Sequence, residues 1–162
     1  MKKLWAPWRM EYLRSTGEKE CPFCIGDDAA EDRSRLVLFR GEHSFVIMNR
    51  YPYSNGHLMV APYRHLADPA GLAPEEALEM HRLTVACQTT LRSCCGAQGF
   101  NLGMNIGEAA GAGIAEHIHQ HIVPRWCGDT NFMPIFADVR VIPEHLDETW
   151  LQLSECFARF SL

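Results

Sequence analysis

Three histidines separated by single residues occupy the segment His117-Ile118-His119-Gln120-His121-Ile122-Val123-Pro124. On an α-helix, residues two apart point about 200° away from one another, which would scatter the three rings. On a β-strand they fall on one face, with Ile118 and Ile122 on the other. The β-branched residues favour the strand. The reading is therefore a strand over 117–124, ended by Pro124, carrying three imidazoles about 7 Å apart on one surface. Packing alone does not ask for this pattern, because every buried ring must find a polar partner. Two chemistries use it. A His-x-His strand can hold a catalytic zinc that activates water. Alternatively, a neutral imidazole can attack an electrophile while its neighbours orient it and manage protons.

The segment just upstream, Asn105-Ile106-Gly107-Glu108-Ala109-Ala110-Gly111-Ala112-Gly113-Ile114, bears on that choice. Its glycines and alanines let backbone N–H groups approach an anion. No Gly-Lys-Ser/Thr follows, and the segment does not join a strand to a helix, so it is neither a Walker loop nor a dinucleotide fingerprint. Alone it reads equally well as a flexible turn. Beside three histidines it suggests a phosphate delivered to a nucleophile. A second cluster, Cys21-Pro22-Phe23-Cys24, has the spacing of half a zinc site. No second Cys-x-x-Cys occurs, and the context lacks the strand that precedes a thioredoxin-like pair. A zinc site and two unligated, reduced thiols both fit.

These groups need a frame to hold them. Residues 36–39, 44–48 and 58–61 are short β-rich runs separated by Arg40-Gly41-Glu42 and by Tyr51-Pro52-Tyr53-Ser54-Asn55-Gly56, which read as antiparallel strands and their turns. Pro74 followed by Glu75 and Glu76 opens a helix. Met80, Leu83, Cys87, Leu91 and Cys94 form its apolar stripe and Gly96 stops it. On that stripe Cys87 and Cys94 read as small core hydrophobes. Strands are expected over 100–105 and 117–124, and a last helix over 143–160 with Leu146, Trp150, Leu153, Phe157 and Phe160 on one face. The succession gives the α+β class, with a mostly antiparallel sheet of about five strands, one long helix and a C-terminal helix.

Composition removes several classes of function. The chain has 162 residues, 47% of them hydrophobic and 22% charged. That suits one compact domain burying roughly two thirds of its unfolded surface, with no need of disulfides. A net charge of -5 argues against gripping a nucleic acid backbone. No apolar run is long enough to cross a bilayer, and Trp5, Pro7, Trp8, Arg9 and Glu11 break up any leader begun by Lys2 and Lys3. Seven cysteines, with Cys94 and Cys95 adjacent, make a poor disulfide framework, so a reducing, cytoplasmic setting is expected. His43 and His81 read as surface residues, His145 as a polar first-turn residue of the last helix, and Arg125 as a solvated charge or a contact for phosphate. Trp5 and Trp8 are too apolar to lie free on a monomer, so they anchor the segment or cover a subunit interface.

The run His117-Ile118-His119-Gln120-His121-Ile122-Val123 resembles the His-φ-His-φ-His-φ-φ signature of the histidine triad (HIT) superfamily, with Gln120 a polar departure at the middle φ. Phe45-Val46-Ile47-Met48-Asn49-Arg50, Pro52 and Gly56-His57-Leu58-Met59-Val60-Ala61-Pro62 are similar to the nucleotide-binding half of that fold. The flanks, residues 5–12 and 124–134, resemble the bacterial branch that includes diadenosine tetraphosphate phosphorylases. The likeness spans nearly the whole chain. It implies a single HIT domain over 1–162, with 1–32 as an N-terminal segment bearing the cysteine pair and 33–162 as the catalytic core.

The resemblance also implies a chemistry. His119 would attack the α-phosphorus of a nucleotide to form a covalent nucleotidyl-histidine, released by water, inorganic phosphate or another acceptor. His121 would orient the phosphate, His57 would support it, and His117 completes the triad. Asn105, Gly111, Ala112 and Gly113 would hold phosphate oxygens. Many relatives carry a Gln or Ser in this loop where this chain has Ala112-Gly113, which leaves phosphorolysis more open than hydrolysis. Asn49 would sit near the ribose, and Phe45, Ile47 and Leu58 are candidates for the base pocket as well as ordinary sheet core. In many relatives the cysteine pair is completed by two histidines, here His65 and His117, giving a structural zinc with Cys21 and Cys24. Mg²⁺ is admitted as a companion of a polyphosphate, and no organic cofactor is called for. The implied partners are a nucleotide substrate and a second copy of the chain, in a homodimer or higher homo-oligomer. A Hint-type nucleoside phosphoramidase and a nucleotide-binding regulatory module are the alternatives.

Overall fold

The computed structural model describes residues 21–129 and 145–159. Beyond the cysteine pair, a single helical turn α1 (Asp32–Arg35) leads into three strands, β1 (Val37–Arg40), β2 (Ser44–Met48) and β3 (Leu58–Pro62). The long helix α2 (Pro74–Cys95) follows, then β4 (Gly99–Met104), β5 (Gln120–Arg125) and the helix α3 (Leu146–Phe157). All strand pairings are antiparallel and the order across the sheet is β1-β2-β3-β5-β4. The expected class and element order are those observed. The segments of the two tryptophans Trp5 and Trp8, residues 130–134, Pro143 and Phe160 lie outside the described residues.

Helix α2 starts where proline and the acidic pair put it. The Glu76 carboxylate accepts a hydrogen bond from the Ala73 N–H at 2.7 Å, satisfying one of the donors that a helix start leaves open. Arg64 holds the same carboxylate from outside, and these contacts pull its pKa down to about 2. Gly96 ends the helix with φ +63°, a conformation that costs glycine nothing.

The helix lies against one face of the sheet. Met80 and Thr84 of α2 share a pocket with Leu102, Met104 and Gln120 of the sheet. Pairing then assigns the faces, because partners across a ladder share a face and neighbours along a strand alternate. Gln120 pairs with Val60, Ile122 with Leu58, and Leu58 with Met48, so this row looks toward α2. Ile47, Met59, His121 and Gly103 form a row across the sheet on the opposite face.

Two expectations are corrected. The histidine strand begins at Gln120 rather than His117 and runs through Pro124 to Arg125. Ile118 N–H donates to the Leu66 carbonyl at 2.8 Å, which draws 117–119 out of the regular ladder. At the other end β3 pairs with β5 only as far as Ile122, and Pro124 is paired with Phe100 of β4. The second correction concerns Cys94. It is not a free core hydrophobe but is disulfide-bonded to Cys156 of α3, against the expectation of a chain without disulfides. The helical spacing that put Cys94 on the apolar stripe also turns it toward α3, whose Gln152 donates to the Cys94 carbonyl at 3.1 Å. Cys87 is fully buried as expected, and burial pushes its thiol pKa up. His81 and His145 are exposed, whereas His43 is half-buried, its N–H donating to Glu79 at 2.6 Å.

Candidate active site and metal site

The triad divides between two places. His117 is fully buried and its Nε2–H donates to the Pro62 carbonyl at 2.9 Å. Its Nδ1 therefore carries a lone pair, and it faces Cys21 Sγ at 3.4 Å and Cys24 Sγ at 3.8 Å. His65 Nδ1 lies 3.2 Å from Cys24 Sγ. The four ligand atoms of Cys21, Cys24, His65 and His117 all fall within 4.8 Å of one another. Two sulfurs and two imidazole nitrogens at such separations suit a tetrahedral zinc, and a carbonyl behind His117 is the usual outer support of a metal-bound ring. Among the described residues this is the one group with metal-ligand spacing, and neither His119 nor His121 belongs to it. The donor set fits zinc on its own chemistry. The expectation of three equivalent rings on one strand is corrected, because His117 turns to the thiols.

His119 is buried, and its Nδ1–H donates to the carbonyl of His117 at 2.8 Å. That bond leaves the lone pair on Nε2. Burial lowers the pKa of His119, so the ring is neutral at pH 7. Phe23, placed between the two cysteines, stacks on the His119 ring at 4.4 Å and lies 5.4 Å from that of His117. Its place inside the cysteine pair is the feature of the sequence that points to this role.

The His119 and His121 rings meet edge-on at 4.9 Å. His57 sits beside them from the residue just before β3, with Nε2 3.0 Å from His121 Nδ1. Hydrogen bonds fix the direction of this contact. His57 Nδ1 lies within reach of two donors, the Tyr53 N–H at 3.1 Å and the Asn49 side-chain N–H at 3.3 Å. It must therefore be the acceptor, so the proton sits on His57 Nε2 and is given to His121 Nδ1. His121 in turn carries its proton on Nε2. That nitrogen is buried, and no hydrogen-bond partner meets it among the described residues. Burial, with the neighbouring His119 adding to it, lowers the His121 pKa to about 4. A buried, neutral donor without a partner, beside a neutral ring with a free lone pair, is suited to an anionic substrate group.

The other expected residues are distributed as follows. The last ladder pair, Met104 with Gln120, leaves Asn105 and His119 as the next residues on the two chains, so the start of the glycine loop runs beside His119. Gly107 and Gly111 take φ +78° and +81°, and Gly111, Ala112 and Gly113 follow on this loop. Asn49 is engaged in the turn that builds His57, its Oδ1 accepting the Tyr51 N–H at 2.9 Å. Phe45 and Ile47 are buried on the histidine face, where Phe45 stacks on Tyr63 at 5.3 Å. Leu58 is fully buried on the opposite face under α2, where it belongs to the core and not to the histidine face. Met59, paired with both Ile47 and His121, and Tyr53, whose ring lies 4.8 Å from that of His57, join the site without having been expected. Alternation from His57 along β3 would have found Met59.

Residues 30–127 match the model of the HIT domain. The chain is 36% identical to an AP-4-A phosphorylase of Mycobacterium tuberculosis, over 98% of this chain and 86% of that protein. Its fold is similar to that of a Zn-bound histidine triad family protein from Mycobacterium smegmatis, with a TM-score of 0.66 and 26% identity over 88% of this chain and 96% of that one. A diadenosine triphosphate hydrolase from Plasmodium falciparum shares the fold at a TM-score of 0.62 and 22% identity, covering 94% and 96% of the two chains. No helix among the described residues is long and apolar enough to cross a membrane. With the domain match across more than half its length, and a histidine site of this construction, the chain belongs to the HIT family.

Proposed function

We propose that this protein cleaves a dinucleoside polyphosphate of the diadenosine tetraphosphate kind by nucleotidyl transfer through His119. The observation that carries this reading is the bond from His119 Nδ1–H to the His117 carbonyl, 2.8 Å long, which keeps the Nε2 lone pair available without any base to unmask it. In the first step Nε2 forms a bond to the α-phosphorus. The bond from that phosphorus to the bridging oxygen breaks, and a nucleoside triphosphate leaves with the electron pair. His121 Nε2–H donates to a phosphate oxygen on which charge develops. Asn105 and the backbone of Gly111, Ala112 and Gly113 cradle the remaining oxygens, while Asn49, Phe45 and Ile47 border the nucleoside. In the second step an acceptor oxygen attacks the same phosphorus and the N–P bond breaks.

Inorganic phosphate is the proposed acceptor, supported by the Ala112-Gly113 loop and by the 36% identity to an AP-4-A phosphorylase. Zinc held by Cys21, Cys24, His65 and His117 is proposed as structural, tying the N-terminal segment to the sheet. The polyphosphate brings Mg²⁺ as a counter-ion, and the protein acts as a homodimer in the cytoplasm, where thiol reductants act on the Cys94–Cys156 bond. Incubation with diadenosine tetraphosphate, with and without phosphate, tests the reaction. ADP plus ATP marks phosphorolysis, AMP plus ATP marks hydrolysis, and failure to trap AMP on His119 under turnover sinks the covalent step.

A further inference from the structure

We propose that Thr149 is a positioning residue for His57, acting through Asn55, and that the Cys94–Cys156 bond keeps it in place. The turn between β2 and β3 forms the seat of His57. Residues 51–57 contain no regular secondary structure that would hold them, yet this turn supplies the Tyr53 N–H that fixes the proton on His57. Holding a turn in one conformation costs entropy, so its geometry has to be secured by bonds from outside it. Two such bonds join it to other described residues. Ser54 Oγ–H donates to the Pro124 carbonyl at 2.9 Å, tying the turn to β5. Thr149 Oγ1–H donates to Asn55 Oδ1 at 3.1 Å, tying it to α3. Thr149 is 1% exposed, so water cannot readily take its place in that bond.

Further links among the described residues dock helix α3. Trp150 Nε1–H donates to the Val37 carbonyl at 3.0 Å, Gln152 donates to the Cys94 carbonyl, and Cys156 is bonded to Cys94 across a separation of 62 residues. The covalent link joins the far end of α3 to the end of α2. A dithiol reductant would cleave it by delivering two electrons and two protons, leaving two thiols here and a disulfide in the reductant. Freed there, α3 is held only by side-chain packing and hydrogen bonds, and the Thr149–Asn55 bond loosens with it. The positioning role rests on the proposed part of His57 in supporting His121, whereas the effect on the His57 proton does not.

The test is long-range ¹H–¹⁵N correlation NMR on the full chain with ¹⁵N-labelled histidine, read together with turnover of diadenosine tetraphosphate. Unmodified protein should show His57 protonated at Nε2 and bare at Nδ1. Thr149→Val should mix the two tautomers, drawing both nitrogen signals toward each other, and lower kcat several-fold with KM within about twofold. Thr149→Ser should restore both. If Thr149→Val fails to fold, Asn55→Ala removes the same bond and is read in the same way. Unchanged His57 signals in these variants, or a serine variant no better than valine, would overturn the role of Thr149. Cys156→Ser should move the His57 signals in the same direction. If it does not, the disulfide has no part in the positioning. Because the NMR signals come from protein without substrate, they decide the matter even if no nucleotide is turned over.

Discussion

Phe23 stacks on His119 with ring centroids 4.4 Å apart, although it lies between two cysteines that face His117 and His65. This ring connects the Cys/His cluster to His119, the proposed nucleophile. It covers His119 on one side and takes part in the burial that lowers the His119 pKa.

Phe23→Ala should therefore act twice. Removing a ring that is 3% exposed costs about 3–5 kcal/mol of stability. Water then reaches His119, its pKa rises toward the ordinary value, and more of the ring is protonated just below neutral pH. Phe23→Leu, which keeps the position apolar, should retain most of the rate. Unfolding curves and kcat at two pH values check this, and an alanine variant with the rate and pH dependence of the parent would refute the link.

Zinc removal should separate fold from chemistry. The four proposed ligands come from the N-terminal segment, the chain after β3 and the start of the histidine segment, so losing an ion held there would untie three parts of the chain. Chelation, or Cys24→Ser, should lower the melting temperature by about 5 °C or more. The kcat measured well below the new transition should fall far less. Activity lost in step with zinc at an unchanged melting temperature would contradict a structural ion.

Much of this was legible in the sequence because it follows from periodicity. Alternation separated His121 from Ile122, and the three-and-four spacing of Met80, Leu83, Cys87 and Leu91 marked α2. What was not legible depends on long-range pairing. Cys94 and Cys156 are 62 residues apart, and nothing local distinguishes a helical cysteine facing the core from one facing a partner. The hydrogen bond from Ile118 to Leu66, which pulls His117 off the strand, is equally silent in the local pattern. Leu58 is a base-pocket candidate only through the family resemblance, and since Met59 pairs with His121, its strand neighbour Leu58 faces the other way, into the core. Phe23 became part of the site only because the cysteine pair folds back onto the histidines.

The acid limb of activity should lie below the usual histidine range. With its pKa lowered to about 4, His121 stays neutral in the folded chain while the unfolded chain would protonate near 6.5. The resulting stability is present in full above pH 6.5 and is lost as pH falls toward 4, amounting to about 3 kcal/mol at most. The kcat/KM measured from about pH 4 to pH 8 should hold its plateau well below pH 6.5. A half-maximum near 6.5 would mean that these rings titrate as if in water.

The direction of the His57–His121 bond makes the sharpest claim on mechanism. Two donors at His57 Nδ1 force its proton toward His121, and thereby place a proton on the buried His121 Nε2. Glutamine at position 57 can offer an N–H in place of Nε2, whereas leucine fills the volume and offers none. His57→Leu should therefore lower kcat by about 10²-fold, the usual loss when a donor to developing charge is removed or misdirected. His57→Gln should stay within about tenfold of the parent, the remainder reflecting the imperfect fit of an amide to a ring. The residue is 1% exposed, so both variants need melting curves beside their rates. Equal losses in the two variants at equal stability would mean that His57 contributes its shape, and that the proton on His121 is set by something else.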